Sequence, residues 1–378
     1  MKVIISAAGT GGHINPGIAI ANKIKEKEPK SEIMFIGTNR GLENDLVPRA
    51  GYKLKTIDAY GLKKEISISN IKHIIQTAKS RKKAKEIIEK FKPDLVLGTG
   101  GYICGPVFSA AFSLNIPTML HESNAYPGKA VKMLSKNVDV ILVGFEETKN
   151  KLTDAKKVVV TGTPTKIKKL NINENIKRDI LKKIGVKSDL PIVLIFGGSQ
   201  GAQVINQAVC ELIKNKKNDK YQIIWSTGPK QYDIIKEEFE KNGISINNLK
   251  NVKVLPYIYN MEELINISDL LVCRSGAMTI TEIAIVGKPA IFIPLPSRSA
   301  NRQEDNAKVL EKIGAAKMIF NNDLNESKLA ESIDEVIDKD SELKEMGRLA
   351  NSIAPVNVEE KIYQEIVNLL KNKFLSWR

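Results

Sequence analysis

The chain has 378 residues, of which 42% are hydrophobic and 27% charged, and it carries a formal net charge of +15. This composition is ordinary for a globular protein and excludes a low-complexity or fibrous chain, and the length suggests two domains rather than one. The positive charge favours polyanionic partners, namely nucleic acid, an anionic membrane surface or phosphorylated substrates. A lysine-rich proteome would account for part of the same excess.

The cysteines and the apolar runs limit where the protein can work. Cys104, Cys210 and Cys273 stand in separate apolar stretches without a CxxC pair, which indicates buried free thiols in a reducing cytosol. The first residues reach glycine too soon for a signal peptide, and no apolar run approaches the roughly 20 residues that cross a bilayer. We therefore expect a soluble or peripheral protein.

The first glycine loop follows an apolar run at residues 3–8, which predicts a buried strand. The loop at residues 9–13 reads GTGGH, and Pro16 fits the first turn of the helix that follows. Such a loop lets backbone approach a phosphate, but Ile14 stands where a dinucleotide fingerprint has its third glycine. The loop is therefore a phosphate cradle of another kind or a tight turn. His13 is either functional or a helix-capping and packing residue.

Two further polar segments follow predicted strands in the first half. The strand at residues 93–97 opens into GTGGY at 98–102, and the strand at 117–120 opens into HESN at 121–124. In open α/β sheets, ligands bind outside the carboxyl ends of the strands. Three polar strand ends therefore predict one coherent site in this half of the chain.

The second half begins as the first does. A turn-rich break at residues 161–164 and a charged segment at 166–187, which we interpret as a linker and a surface helix, precede an apolar strand at 192–196. That strand opens into GGSQGA at 197–202 and then a helix. The repeated pattern of strand, glycine loop and helix predicts two Rossmann-like domains with a cleft between them.

The second loop also matches the GxSxG nucleophile elbow of α/β hydrolases, with Ser199 as the nucleophile. In that fold the catalytic histidine follows the serine in the chain. The only histidines here, His13, His73 and His121, all precede Ser199. This order argues against a hydrolase.

Residues 270–307 predict a nucleotide-sugar pocket. They read as a buried strand at 270–273, a turn at 274–277, a helix at 278–286, a strand at 290–293 and a polar loop at 301–306. The turn aims backbone N–H groups at a phosphate, Glu282 can accept hydrogen bonds from ribose, and Gln303 and Asn306 can bond sugar hydroxyls. The alternative is an ordinary βαβ unit with a solvated loop.

The segment at residues 61–90 combines an isoleucine series with a dense lysine cluster. Its second half resembles a basic amphipathic helix of the kind found at membrane surfaces, and the alternative is a core-packed helix with a solvated lysine face. The DKD sequence at 338–340 lies in a charged helical tail and reads as solvated surface rather than a metal motif. No His/Cys metal cluster is present in the sequence.

Five segments together resemble the MurG family, the UDP-GlcNAc-dependent N-acetylglucosaminyltransferases of peptidoglycan synthesis. They span nearly the whole chain in the family's order, which is more specific than any one of them. The segments are Gly9-Thr10-Gly11-Gly12-His13 with Pro16, Gly100-Gly101-Tyr102, His121-Glu122-Ser123-Asn124, Gly197-Gly198-Ser199-Gln200-Gly201-Ala202, and Arg274-Ser275-Gly276-Ala277 with Glu282.

The resemblance implies a GT-B fold, an α/β class with two Rossmann-like domains whose parallel sheets face each other across a cleft. Residues 1–163 would form the acceptor and membrane-facing domain, residues 164–354 the UDP-GlcNAc-binding domain, and residues 355–378 a helix returning to the first domain. The implied reaction is an inverting transfer of N-acetylglucosamine to the muramyl 4-hydroxyl of lipid I, giving lipid II, with no metal and no cofactor.

The resemblance also implies a role for each matching residue. Ser199 would meet the donor phosphates, Ile258 the uracil and Glu282 the ribose, while Thr10, Gly11 and Gly12 would line the cleft by the acceptor diphosphate. His13 is the candidate base, because imidazole titrates near neutral pH. The donor-binding set is Thr10, Gly11, Gly12, Asn124, Lys166, Ser199, Ile258, Arg274, Ser275, Gly276, Ala277, Glu282 and Gln303. The acceptor-diphosphate set is Gly9, Gly100, Gly101 and Tyr102.

The sequence departs from the family pattern in two places. Ala8 precedes Gly9 where the family has a second glycine, and Lys166 replaces the family arginine and so lacks its bidentate fork.

Alternatives with the same fold remain open, namely a diacylglycerol glucosyltransferase, a UDP-GlcNAc 2-epimerase, or a non-catalytic binder of nucleotide sugar or RNA. No interleaved aromatics support RNA. The expected partners are UDP-GlcNAc, lipid I and an anionic membrane at its cytoplasmic face, without nucleic acid.

Overall fold

The computed structural model describes residues 1–59, 68–186, 190–296 and 302–376. The chain divides into two compact units: unit 1 is Met1–Lys166 with Pro355–Arg378, and unit 2 is Ile167–Ala354. The sequence had placed the domain boundaries after residues 163 and 354. In each unit, helices and loops surround a parallel sheet.

Most strands coincide with one of the short, nearly continuous apolar runs, but the edge strand Lys53–Thr56 reads KLKT and does not. Parallel strands are covered on both faces, so they favour such runs over an alternating pattern. Within the described residues, the strands of unit 1 are β1 (Lys2–Ser6), β2 (Glu32–Gly37), β3 (Lys53–Thr56), β4 (Leu95–Gly98), β5 (Thr118–Glu122), β6 (Val140–Val143) and β7 (Val158–Val160). Those of unit 2 are β8 (Ile192–Phe196), β9 (Gln222–Ser226), β10 (Val252–Leu255), β11 (Leu270–Cys273), β12 (Ala290–Phe292) and β13 (Ala316–Met318).

The two sheets share one topology. Their orders are β3-β2-β1-β4-β5-β6-β7 and β10-β9-β8-β11-β12-β13, and all recorded pairings are parallel. In each sheet the direction of winding reverses once, between β1 and β4 in unit 1 and between β8 and β11 in unit 2. Ligands of doubly wound sheets bind in the crevice at such a switch point, at the carboxyl ends of the strands.

The helices connect these strands. In the described part of the chain they begin with α1 (Gly11–Lys27), α2 (Glu43–Arg49), α3 (Ile68–Phe91), α4 (Cys104–Ser113), α5 (Lys129–Leu134), α6 (Glu146–Lys149), α7 (Glu174–Ile184) and α8 (Gln203–Lys214). They continue with α9 (Pro229–Lys241), α10 (Met261–Ile267), α11 (Ala277–Val286), α12 (Arg302–Glu311), α13 (Glu326–Ile337), α14 (Asp340–Ser352) and α15 (Val358–Ser376). No described helix is both long enough and apolar enough to cross a membrane.

Three local predictions were wrong. The polar loop expected at residues 301–306 is instead the start of α12 from Arg302 onward, while Asn301 lies outside the described residues. The helix was missed because its apolar face, with buried Ala307 and Leu310, begins just after that polar window. Pro16 lies in the second turn of α1, because the helix begins at the glycine loop itself. His121 and Glu122 belong to β5 rather than following it.

The last helix belongs to the core of unit 1. Val358, Ile362 and Ile366 of α15 are buried in the cluster that also contains Ile14 and Ile18 of α1. Charge pairs join the same two helices, including Glu360 with Lys23 and Lys27. The segment that follows unit 2 is therefore part of the hydrophobic core of unit 1.

Candidate functional site

The two glycine loops of unit 1 meet at His13. Gly100 has a φ of +108°, and a Cβ there would lie 2.7 Å from His13 Cδ2. The Thr99 hydroxyl donates to the His13 carbonyl at 2.6 Å, and His13 Nδ1 lies 3.3 Å from the Ala8 carbonyl oxygen. The imidazole is therefore held between the loops after β1 and β4, at the switch point of the sheet. Glycine at position 100 makes this close approach possible.

The start of α1 presents backbone rather than side chains. Gly9 has a left-handed φ of +97°, Thr10 and Gly12 are exposed, and Thr10 makes no side-chain capping bond. A helix N-terminus of this kind offers N–H groups and a positive dipole end to an anion. Tyr102 lies beyond the second loop with 39% of its surface exposed. The structure thus brings Gly9 through His13 close to Gly100 and Gly101.

A buried carboxylate beneath the first loop was missed by sequence reasoning. Glu43 is fully buried, and its Oε2 accepts the Gly9 N–H at 2.9 Å. Its Oε1 accepts the N–H of Thr38 at 2.8 Å and the hydroxyl of Thr38 at 2.6 Å. Burial pushes the pKa of Glu43 up, but the hydrogen bonds from Thr38 and Gly9 outweigh it and leave the pKa below its usual value. The sequence offered one signal for this contact: an acidic residue five positions after Thr38, which directly follows β2.

The HESN segment is organised by its glutamate. Glu122 Oε1 accepts both the backbone N–H and the side-chain amide of Asn124, at 2.9 and 2.8 Å. Its Oε2 accepts the N–H of Gly128, where α5 begins, at 2.6 Å. These bonds fix the orientation of the Asn124 amide. Because β5 pairs with β4, Asn124 follows the strand next to the one that ends in the second glycine loop.

His121 has a structural role. It is fully buried, with Nε2 3.0 Å from the Gly162 carbonyl oxygen and Nδ1 3.3 Å from the Ser123 hydroxyl. Burial lowers its pKa, so the ring is neutral at physiological pH and donates from Nε2 to the carbonyl. Gly162 in turn lies against Pro355, where the chain returns to unit 1. His121 therefore joins the end of β5 to this return.

In unit 2, the loop after β8 leaves Ser199 exposed. Gly198 has a φ of +89°, and the Gly201 N–H donates to the Gly198 carbonyl at 3.0 Å, which closes a tight turn. A Cβ at Gly201 would collide with the Thr227 carbonyl at the end of β9. The loop is thus pressed onto the neighbouring strand end and leads directly into α8.

The turn between β11 and α11 is tied to α12. Ser275 is fully buried, and its hydroxyl donates to the Gln303 carbonyl at 2.7 Å. Asn306 is also fully buried and donates to the Ser275 carbonyl at 3.1 Å, so the prediction that it binds sugar hydroxyls was wrong. Gly276, the N-cap of α11, has extended backbone, and a Cβ there would meet nothing closer than 3.7 Å. This helix start, followed by buried Ala277, leaves room for an anion near its N–H groups.

Arg274 and Gln303 hold the loop after β12. Arg274 Nη1 donates to the carbonyls of Ile293 and Pro294 at 2.9 and 3.1 Å, and to Asn321 Oδ1 at 2.8 Å. Burial lowers the pKa of Arg274. The Gln303 side-chain oxygen accepts the Leu295 N–H at 2.8 Å. The Arg274 guanidinium therefore anchors protein carbonyls, while the Gln303 amide nitrogen remains a donor group.

The other predicted donor residues lie in different surroundings. Glu282 is half-buried on α11. Burial first, and the Glu282 charge second, raise the pKa of Cys273. Ile258 is buried between exposed Tyr257 and Tyr259. Lys166 is exposed and ends the first stretch of unit 1, so it belongs to a different unit from Ser199.

Within the described residues, no group of three or more His, Cys, Asp or Glu side chains is arranged to hold a metal ion. The cysteines Cys104, Cys210 and Cys273 are free and buried, as predicted.

Comparison with known proteins places the chain in a family. The model of the glycosyltransferase family 28 N-terminal domain matches residues 3–143, and that of the C-terminal domain matches residues 192–361. The crystal structure of Acinetobacter baumannii MurG resembles the chain with a TM-score of 0.74 and 28% identity, covering 98% of this chain and 99% of that one. The UDP-N-acetylglucosamine–N-acetylmuramyl-(pentapeptide) pyrophosphoryl-undecaprenol N-acetylglucosamine transferase of Acetivibrio thermocellus is 44% identical over 99% of both chains. The chain belongs to the MurG family.

Membership of the MurG family confirms the predicted GT-B fold class and the predicted glycosyltransferase activity. A UDP-GlcNAc 2-epimerase of Neisseria meningitidis also resembles the chain, with a TM-score of 0.67 over 97% of this chain and 100% of the other, but at 16% identity. A likeness at that level shows a shared fold and nothing more. The hydrolase alternative has no support, because both halves of the chain match glycosyltransferase family 28.

Proposed function

We propose that this protein transfers N-acetylglucosamine from UDP-GlcNAc to the muramyl 4-hydroxyl of lipid I, giving lipid II for peptidoglycan synthesis. The observation that carries the proposal is the 44% identity, over 99% of both chains, to a transferase whose name states this donor and this acceptor. The site geometry supports it, because each unit presents glycine turns and a helix start suited to phosphate groups.

On the donor side, backbone N–H groups stabilise the leaving UDP. The loop around Ser199 and the start of α11 at Gly276 face the diphosphate, which gains negative charge as the glycosidic bond breaks. Ile258 contacts the uracil, Glu282 accepts hydrogen bonds from the ribose, and the Gln303 amide nitrogen donates to the sugar. Arg274 and Ser275 act on this side mainly by holding the β12 loop and α12 in place.

On the acceptor side, the two glycine loops of unit 1 hold the lipid diphosphate and His13 removes a proton. A protonated Nδ1 donates to the Ala8 carbonyl, so Nε2 is the basic nitrogen. Nε2 takes the proton of the muramyl 4-hydroxyl, the oxygen attacks the anomeric carbon, and UDP leaves from the opposite face with inversion. Asn124, oriented by Glu122, contacts the transferred sugar, and Lys166 supplies a charge near phosphate.

The protein is proposed to work at the cytoplasmic face of the membrane, where a lipid-linked acceptor is anchored. The described residues that support this are on α3, where Lys79, Arg81, Lys82 and Lys83 are exposed. Basic residues near an anionic leaflet each contribute about 1 kcal/mol of attraction before screening. The contact is peripheral and electrostatic.

Product identification tests the reaction. Radiolabelled UDP-GlcNAc is supplied with lipid I, with diacylglycerol, or alone, and the labelled product is identified. We expect label only in lipid II. Labelled glycolipid in the diacylglycerol arm, or an epimerised nucleotide sugar in the third arm, would replace the proposal with that activity.

The role of His13 is tested with His13→Ala and a lipid I analogue. General base catalysis contributes about 10²- to 10⁴-fold, so kcat is expected to fall by that factor. UDP affinity is the control and should not change, because His13 is not among the residues proposed to bind the donor. If kcat stays within a few-fold of the wild-type value, His13 is not the base.

A further inference from the structure

We propose that Glu43 is a positioning residue, whose buried carboxylate sets the path of the Gly9–His13 loop and so the placement of the His13 imidazole. The inference rests on the proposed function, in which that loop receives the acceptor diphosphate and His13 takes the proton. The inference goes beyond the proposed function, because Glu43 is not part of any motif that carries the family resemblance.

Within the described residues, only uncharged groups donate hydrogen bonds to the Glu43 carboxylate. Glu43 is fully buried and accepts from the Gly9 N–H, the Thr38 N–H and the Thr38 hydroxyl at 2.9, 2.8 and 2.6 Å. A buried charge is costly unless hydrogen bonds satisfy it. Charge-assisted hydrogen bonds are also about twice as strong as neutral ones, so the bond from the Gly9 N–H to the Glu43 carboxylate restrains Gly9 effectively.

Gly9 is held at both of its polar groups by the same segment. Its N–H donates to Glu43, and its carbonyl accepts the N–H of Leu42 at 3.2 Å. Gly9 itself has a left-handed φ of +97°, so its conformation would otherwise be one of several open to glycine. Fixing both groups selects one path for the loop into α1.

The space around the carboxylate is shaped to admit it. A Cβ at Gly37 would lie 2.7 Å from Glu43 Cγ, and a Cβ at Gly41 would collide with the carboxylate. Beyond Gly9, the Thr10 carbonyl accepts the N–H of His13 at 3.0 Å. A displacement of Gly9 is therefore transmitted over one helical turn to the imidazole.

Asp139 provides a matched control for a purely structural role. It is in the same unit and accepts from the N–H and hydroxyl of a threonine, Thr118, at 2.9 and 3.0 Å. Unlike Glu43, it also pairs with Lys156 and Lys373, each at 3.5 Å. Thr118 is the first residue of β5, so this clamp lies at the amino end of the strands, away from the glycine loops. Glu43→Gln and Asp139→Asn each replace one carboxylate oxygen by an NH₂ group that cannot accept.

The experiment compares the two variants in the full-length protein. For Glu43→Gln we expect kcat/KM for a lipid I analogue to fall roughly tenfold to a hundredfold, the factor expected for a buried donor left unpaired. UDP affinity should stay at the wild-type value. In NMR spectra of histidine-labelled protein, the His13 imidazole should shift and titrate at a changed pKa. Asp139→Asn should change the melting temperature without either effect.

Two outcomes would overturn the inference: an unmoved His13 resonance in Glu43→Gln, or equal losses of kcat/KM in both variants. If Glu43→Gln does not fold, Glu43→Asp keeps the charge but withdraws the carboxylate, and the same His13 shift and acceptor loss are expected of it. Failure of the proposed function is separate, because it would appear as a wild-type protein without turnover. The His13 spectrum would still test Glu43 in that case.

Discussion

At the residue scale, the donor site contains side chains that face the protein and side chains that face outward. Arg274 Nη1 donates hydrogen bonds to two backbone carbonyls and to the side-chain oxygen of Asn321. Ser275 and Asn306 are fully buried. Glu282 is half-buried, and Gln303 uses its side-chain oxygen on Leu295. In the proposed donor site, specificity for the sugar would therefore depend on few groups, of which the Gln303 amide nitrogen is the best candidate.

This division predicts different ligand profiles for two alanine variants. Glu282→Ala should weaken UDP and UDP-GlcNAc alike, because the carboxylate is proposed to touch only ribose. Gln303→Ala should weaken UDP-GlcNAc and spare UDP. Each loss is expected to be about 1–3 kcal/mol, or roughly tenfold to a hundredfold in affinity, measured by calorimetric titration. Equal losses of UDP affinity in both variants would show that the sugar pocket is misplaced.

At the scale of elements, the sequence predicted strands better than it predicted contacts. The runs around β1, β8 and β11 are continuously apolar because their sheets are covered on both faces, and a short pattern suffices to find them. The start of α12 was taken for a loop, because its buried face depends on Ala307 and Leu310 beyond the polar window.

Glu43 was missed, and Asn306 was assigned a wrong role, for a different reason. Glu43 contacts Gly9, which is 34 residues away in the chain, and Asn306 contacts Ser275, which is 31 residues away. No local pattern encodes a pairing between loops that only the folded sheet brings together. The motif loops themselves could be found from the sequence, whereas the side chains that hold them in place could not.

Helix α3 has one face packed in the core of unit 1 and another face that is basic and exposed. Ala84 and Ile88 are buried in the core of unit 1, while Lys79 and the 81–83 cluster are exposed. The isoleucine series of the predicted amphipathic face, at residues 66–75, lies outside the residues whose side chains are described. The described half thus matches a core-packed helix with a solvated basic face, and that face is the one we propose for membrane contact.

The basic face of α3 is predicted to bind anionic vesicles. Replacing Lys79, Arg81, Lys82 and Lys83 with Gln should reduce co-sedimentation with anionic vesicles and turnover of membrane-embedded lipid I, but leave turnover of a short-chain soluble acceptor unchanged. Wild-type binding should weaken with salt, since the Debye length is about 8 Å at physiological ionic strength.

The matched control is a variant with the same change in charge on unit 2. Lys169, Arg178, Lys182 and Lys183 are all exposed in or before α7, and replacing them with Gln should not alter vesicle binding. If the α3 variant binds as wild type does, or if both variants lose binding equally, α3 is not the membrane contact.

At the scale of the whole molecule, the chain builds the same doubly wound sheet twice and then returns to the first. Unit 2 contains Ser199, Glu282 and Gln303 within one continuous stretch, whereas unit 1 needs two stretches of chain. The return begins at Pro355, against Gly162, whose φ of +86° and lack of a Cβ permit that contact. The order of the chain therefore makes unit 1 depend on a segment that follows unit 2 in sequence.

This dependence predicts unequal effects of removing the last segment. Among the described side chains, a chain ending at Ala354 loses five buried aliphatic residues of unit 1, namely Val358, Ile362, Ile366, Leu369 and Leu370. Their burial is worth on the order of 10 kcal/mol, which is comparable with the whole stability of a domain.

In scanning calorimetry, the truncated chain should lack the unfolding transition of unit 1. The transition of unit 2 should remain. Its melting temperature should still rise when UDP is added, because UDP at a hundredfold excess over Kd stabilises the folded unit by about 2.7 kcal/mol.

Ile362→Ala in the full-length protein is a less disruptive variant of the same test. It should lower the melting temperature of only the transition that UDP does not shift. A truncated chain that keeps both transitions would show that α15 is dispensable for unit 1, and loss of the UDP response would show that unit 2 needs more than residues 167–354 to bind its nucleotide.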